Sequence, residues 1–119
     1  MSDPDPIRRG AGAEAHPAAP QKVGFDRREL DQILQVYGRK VASGEWRDYA
    51  MEFAREVAVF AVFERSSAAP LYHIEKRPKL KARQGAYAVI GEGGHVLKRG
   101  HELAHVLRVL EKKRFSIVD

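Results

Sequence analysis

Residues 57–63 read Val-Ala-Val-Phe-Ala-Val-Phe, seven consecutive positions without a polar member. β-Branched and aromatic side chains fit a pleated surface, and an unbroken apolar run means that neither face needs water. The run predicts a strand with both faces covered, central to a sheet. Upstream, Tyr49, Met51 and Phe53 alternate with Ala50 and Glu52, the period of a short strand. Ala, Met and Glu also favour helix, so a helix over 45–57 competes with that reading. Downstream, Ser66, Ser67 and Pro70 mark a turn, 71–76 (LYHIEK) supplies a strand, and Pro78 interrupts regular structure. Residues 86–90 make the next strand, the Gly91-Glu92-Gly93-Gly94 turn follows, and 95–98 return.

A helix stands on each side of these strands. Asp26 followed by Glu29 forms a capping box, with Phe25 and Leu30 placed as a hydrophobic staple. Leu30, Ile33, Leu34, Tyr37 and Val41 then recur at helical spacing, and Gly44 supplies a stop. The closing helix spans about 101–113, with Leu103, Val106, Leu107 and Leu110 as its inward stripe. The connections are too short for parallel crossovers. The expected fold is therefore α+β, an antiparallel sheet of four or five short strands with an N-terminal and a C-terminal helix packed on it.

Residues 1–22 differ in character. They hold four of the six prolines, and Asp3, Asp5 and Glu14 balance Arg8, Arg9 and Lys22. Such a Pro/Ala-rich stretch cannot bury enough surface to offset its ordering entropy, so a disordered tail is expected before a single domain at 23–119. A chain of 119 residues and 13.4 kDa has room for little else. The absence of cysteine excludes disulfides, thiolate catalysis and cysteine-ligated zinc. No apolar run approaches the roughly 20 residues of a membrane span. The opening residues lack the apolar core of a secretory signal, so a cytoplasmic location without membrane partners is expected.

Two motifs bear on function. His101-Glu102-Leu103-Ala104-His105 matches H-E-x-x-H, in which two imidazoles one turn apart bind zinc and the glutamate acts as general base. Here the histidines fall opposite the leucine stripe, and Arg108 and Lys112 add positive charge beside them. Glu111, the only carboxylate at a useful offset, points about 100° away on a continuous helix. A solvated polar face is the expectation, with no metal ligands and no catalytic residues; zinc hydrolysis is a remote alternative. No serine sits at a strand-to-helix elbow, and the 91–94 glycines make a hairpin turn, so no cofactor is expected.

The second motif is Lys76-Arg77-Pro78-Lys79-Leu80-Lys81-Ala82-Arg83, with five cations and no acid. Those charges equal the formal net charge of +5, so the rest of the chain balances. Pro78 and the lack of periodicity place the run on an irregular connection, free to meet a polyanion through counterion release. Lys98 and Arg99 extend the patch, as do Lys112, Lys113 and Arg114. Tyr72 and Tyr87 on the flanking strands would stack on unpaired bases if exposed, and otherwise belong to the core.

The stretches GEWRDYA (44–50), PLYHIEKRPKL (70–80), RQGAYAVI (83–90) and LKRGHELAHVLRVLEKK (97–113) resemble a small alphaproteobacterial family classed as a domain of unknown function. The resemblance runs from Phe25 onward. It implies one soluble bacterial domain without a cofactor and transfers no site residues. The expected function is a non-enzymatic basic binding or regulatory module that contacts nucleic acid through the 76–83 loop. The alternative is a protein–protein adaptor binding an acidic protein, or a homodimeric interaction domain using an edge strand such as FSIVD at 115–119.

Overall fold

The computed structural model of the chain describes residues 21–65 and 69–111. Residues 1–20 of the tail expected at 1–22, the Ser66-Ser67 turn, the Lys112-Lys113-Arg114 extension and the 115–119 strand lie outside the described residues.

Helix α1, Arg27–Ala42, begins as its sequence requires. Asp26 is extended and its side chain accepts from the Glu29 N–H at 2.8 Å, while the Glu29 carboxylate accepts from the Asp26 N–H at 2.8 Å. A cap of this kind stabilises a helix by about 1 kcal/mol. The chain leaves the helix through Ser43 and Gly44, whose φ of +83° suits glycine. The buried face is rotated from the expected stripe. Ile33 and Val36 are buried, whereas Leu34 and Val41 lie about two-fifths exposed (38% and 41%).

Five strands follow: β1 Asp48–Phe53, β2 Ala58–Phe63, β3 Tyr72–Lys76, β4 Tyr87–Gly91 and β5 Val96–Gly100. Each pairs antiparallel with the next, so the sheet order is the chain order. Residues 48–53 are strand rather than helix. Tyr49, Met51 and Phe53 oppose Val62, Phe60 and Ala58, which puts them on the core side of β1. Helix α2, Leu103–Glu111, starts two residues later than the pattern suggests, leaving His101 and Glu102 ahead of it.

Both helices pack on one face of the sheet. Phe60, Ile74 and Val89 are register partners across β2, β3 and β4, and all three are fully buried. Ile33 and Val36 of α1, the four apolar residues of α2, and Trp46 complete the cluster. Tyr49 stacks on Phe60 at 4.8 Å and Tyr37 meets Tyr49 edge-on at 5.0 Å, closing the β1 side. No residue of β2 is exposed on either face, as the unbroken apolar run requires. Ala58, Phe60 and Val62 face the helices, while Val59, Ala61 and Phe63 face the other side, where no described helix lies. The strand lies inside the sheet but second in order, with β3 at its centre.

One polar node ties the helix to the sheet. Glu29 is only 8% exposed. Its Oε1 also accepts from the Lys76 Nζ at 2.8 Å, and its Oε2 accepts from the Tyr87 hydroxyl. Lys76 and Tyr87 are cross-strand partners on β3 and β4, and the Lys76 Nζ donates further to the Gly24 carbonyl at 2.9 Å. Burial, then the bond to Glu29, pushes the Tyr87 hydroxyl well above its ordinary range. A raised folded-state pKa means that the associated stability is complete below the unfolded value near 10 and fades as pH rises beyond it.

Three outcomes are expected. Glu29→Ala removes the return half of the capping box and takes the carboxylate from Lys76 and Tyr87, costing about 2–4 kcal/mol in chemical denaturation. Tyr87→Phe costs about 1–2 kcal/mol at neutral pH, and its stability falls less steeply than the wild type above pH ~10. Gly85 has φ +108° and a Cβ there would lie 2.2 Å from the Gly100 carbonyl carbon, whereas Gly44 has open space around it. Gly85→Ala should therefore lower the melting temperature far more than Gly44→Ala.

Candidate nucleic-acid interface

The 76–83 run is more ordered than its sequence suggests. A single 3-10 turn, Pro78–Leu80, follows β3. The Leu80 carbonyl then accepts from the N–H groups of Arg83, Gln84 and Gly85 at 3.0, 3.2 and 2.8 Å. The segment is a hydrogen-bonded knob and not an irregular connection, because one carbonyl gathers the donors that Pro78 prevents from extending the strand.

Within it the five cations divide. Lys76 ends β3 and is committed to Glu29 and Gly24. The Arg77 Nε donates to Glu75 at 3.1 Å. The Lys79 Nζ donates to Glu56 at 2.9 Å with both side chains largely in water, and this bond holds the Glu56 carboxyl below the usual range. Exposed pairs of this kind are weak and yield readily to another anion. Lys81 and Arg83 are exposed and have no acidic partner among the described residues.

The supplementary residues divide too. The Arg99 Nη1 donates to the Gly85 carbonyl at 3.4 Å and its Nη2 lies 4.0 Å from Glu75. Lys98 is exposed, borders a shallow groove with His105 and Arg108, and has no acidic partner among the described residues. The Gly85–Gly100 contact brings the knob against the β5–α2 junction. Lys81 and Arg83 on the knob, Lys98 on β5 and Arg108 on α2 are thus exposed cations without acidic partners among the described residues, and Lys98 and Arg108 border the groove beside His105. Arg108 joins these cations through the i, i+4, i+7 spacing of His101, His105 and Arg108, a sequence signal more visible as a metal motif than as an extension of the loop.

Both stacking candidates are half-buried and already engaged. Tyr87 bonds to Glu29, and Tyr72 packs 6.1 Å from Trp46 beside the core. Both have the residue parity of Ile74 and Val89, which turns them toward the helices.

The H-E-x-x-H residues do not converge. His101, Glu102 and His105 are all exposed, and Glu111 is engaged by Arg39 of α1. Among the described residues no group of three His, Cys, Asp or Glu side chains is arranged to hold a metal ion. A second cleft, between the C-terminal ends of the helices, is lined by Lys40, Glu45, Trp46, Glu64, Tyr72 and Glu111. No helix among the described residues is long and apolar enough to cross a membrane.

No curated protein and no solved structure matches the chain. Residues 23–107 match the family model described as "Protein of unknown function (DUF2794)". That span holds α1 with its capping box, all five strands, the 76–83 knob and most of α2. The chain belongs to this family.

Proposed function

We propose that the domain is a non-enzymatic module that binds nucleic acid through backbone phosphates, using Lys81, Arg83, Lys98 and Arg108. The observation that carries this reading is the division of charge. Acids neutralise Lys76, Arg77 and Lys79, while Lys81, Arg83, Lys98 and Arg108 have no acidic partners among the described residues, and Lys98 and Arg108 share one groove. A row of mobile ammonium and guanidinium groups gains affinity by displacing counterions from a polyphosphate. With Tyr72 and Tyr87 turned inward, binding is electrostatic and indifferent to base sequence. An alphaproteobacterial cytoplasm is the proposed setting, on the resemblance of the quoted stretches.

The test is fluorescence anisotropy with a labelled oligonucleotide across a salt series. Four phosphate contacts predict a log–log salt slope of about −3 to −4 on duplex DNA. Single strands should gain no stacking advantage. Lys81→Glu with Arg83→Glu should abolish most binding and leave the melting temperature unchanged. An absence of binding at low salt, or binding that ignores this double reversal, would dismiss the reading.

A further inference from the structure

The first strand is the least covered element of the sheet. All its residues are exposed, and Tyr49, Met51 and Phe53 keep about two-fifths of their surface in water although they face the helix side (40%, 39% and 42%). Helix α1 widens this apolar margin. Its Tyr37 meets Tyr49 edge-on at 5.0 Å. At about 100° per residue, buried Ile33 lies about 40° to one side of Tyr37, and exposed Val41 and Leu34 about 40° and 60° to the other.

The backbone of this edge is open too. The Ala54 N–H donates to the Val57 carbonyl at 2.9 Å across the β1–β2 turn, and Asp48, Ala50 and Glu52 share the parity of Ala54. Antiparallel ladders alternate, so the N–H and C=O groups of Tyr49, Met51 and Phe53 point away from β2. The Tyr49 N–H accordingly donates to the neighbouring Asp48 carboxylate at 2.8 Å, a local bond that a partner's carbonyl would replace. Strand β1 carries no lysine or proline and pairs with β2 without a register shift. The opposite edge is guarded, since β5 carries Lys98 and Arg99 and its pairing shifts at Val89/Ile90.

We propose that two copies of the chain join at this edge, β1 pairing antiparallel with the partner's β1 about a two-fold axis through Met51. The two sheets become one, with all helices on the same side. Hydrogen bonding and charge select the same register. Tyr49 pairs with the partner's Phe53 and Met51 with the partner's Met51, so every outward donor and acceptor of these residues is used. A shift of two residues either way leaves one residue of each strand unpaired. In the centred register Glu52 stands opposite the partner's Ala50, and Asp48 opposite the partner's Ala54. One shift would set Asp48 against the partner's Glu52, and the other would set Glu52 against the partner's Glu52, both repulsive. On the helix side the Tyr49 ring lies beside the partner's Phe53, with the two methionines between the aromatic pairs. A strand of six residues is short of the roughly 1,600 Å² that stable complexes bury, so the dimer dissociates on dilution. The inference does not draw on the nucleic-acid reading, because Lys81, Arg83, Lys98 and Arg108 belong to the knob, β5 and α2.

Sedimentation of the nuclease-treated full chain over a dilution series tests the proposal. The wild type should pass from dimer to monomer. Met51→Lys and Met51→Glu should each weaken the dimer about tenfold or more, because each sets like charges together on the axis. An equimolar mixture of the two should associate more tightly than either alone. If a charged variant misfolds, a single thiol in this cysteine-free chain replaces it. Hydrogen-bonded antiparallel partners have Cα atoms about 5.5 Å apart, within disulfide reach. Met51→Cys should therefore oxidise to a covalent dimer much faster than Val96→Cys, which is exposed on the opposite edge strand. Lys81→Glu with Arg83→Glu should leave dimerisation unchanged, so this proposal and the preceding one fail separately. A wild type that stays monomeric at its highest soluble concentration overturns the proposal. So does a dimer indifferent to the charged variants, a mixture no tighter than its components, or equal oxidation of the two cysteine variants.

Discussion

The carboxylate of Glu29 is where the fold is held together at its most constrained point. Three donors converge on it: a backbone N–H that closes the helix cap, an ammonium from β3 and a hydroxyl from β4. A carboxylate this buried is tolerable only because its oxygens are satisfied, and each donor comes from a separate part of the chain. The angle at which α1 meets the sheet follows from that convergence. Ile33 and Val36 then face Phe60 and Val62, and α2 fills the remaining width of the same face with Leu103, Val106, Leu107 and Leu110.

The same node decides which positive charges remain for anything else. Lys76 is the first cation of a run that invites reading as one patch, yet it is committed to the architecture. Arg77 and Arg99 are drawn to Glu75 on the sheet face opposite the helices, and Lys79 to Glu56 across the exposed turn between β1 and β2. Of the 76–83 run and its neighbours on β5 and α2, Lys81, Arg83, Lys98 and Arg108 are left without acidic partners among the described residues. The chain thus keeps two chemically distinct surfaces apart. A charged side borders the second helix, and a face on which Ala61, Ala88 and Ile90 are buried lies behind the sheet.

Much of this is legible in the sequence. Asp26 and Glu29 announce the helix start because capping is a local interaction, and the alternation at 49–53 announces a strand because its period is local too. The misses share a cause. Leu34 and Val41 fit an inward stripe by spacing yet lie half in water, and Val36 is buried outside that stripe. Hydrophobicity alone cannot fix the rotation of a helix against a sheet it meets only in three dimensions. Lys76 and Tyr87 give no local sign of sharing a partner with Glu29. Their separations from it along the chain, 47 and 58 residues, place that contact beyond any local pattern.

Because strand order follows chain order, every ladder in the sheet joins segments adjacent along the polypeptide. Hairpins can therefore close one after another with little loop entropy to overcome, and such low-contact-order topologies fold quickly. The exceptions are the docking of the two helices on each other and the grip of Lys76 and Tyr87 on Glu29. The grip on Glu29 closes loops of 47 and 58 residues, so it carries a larger closure entropy than any of the hairpins.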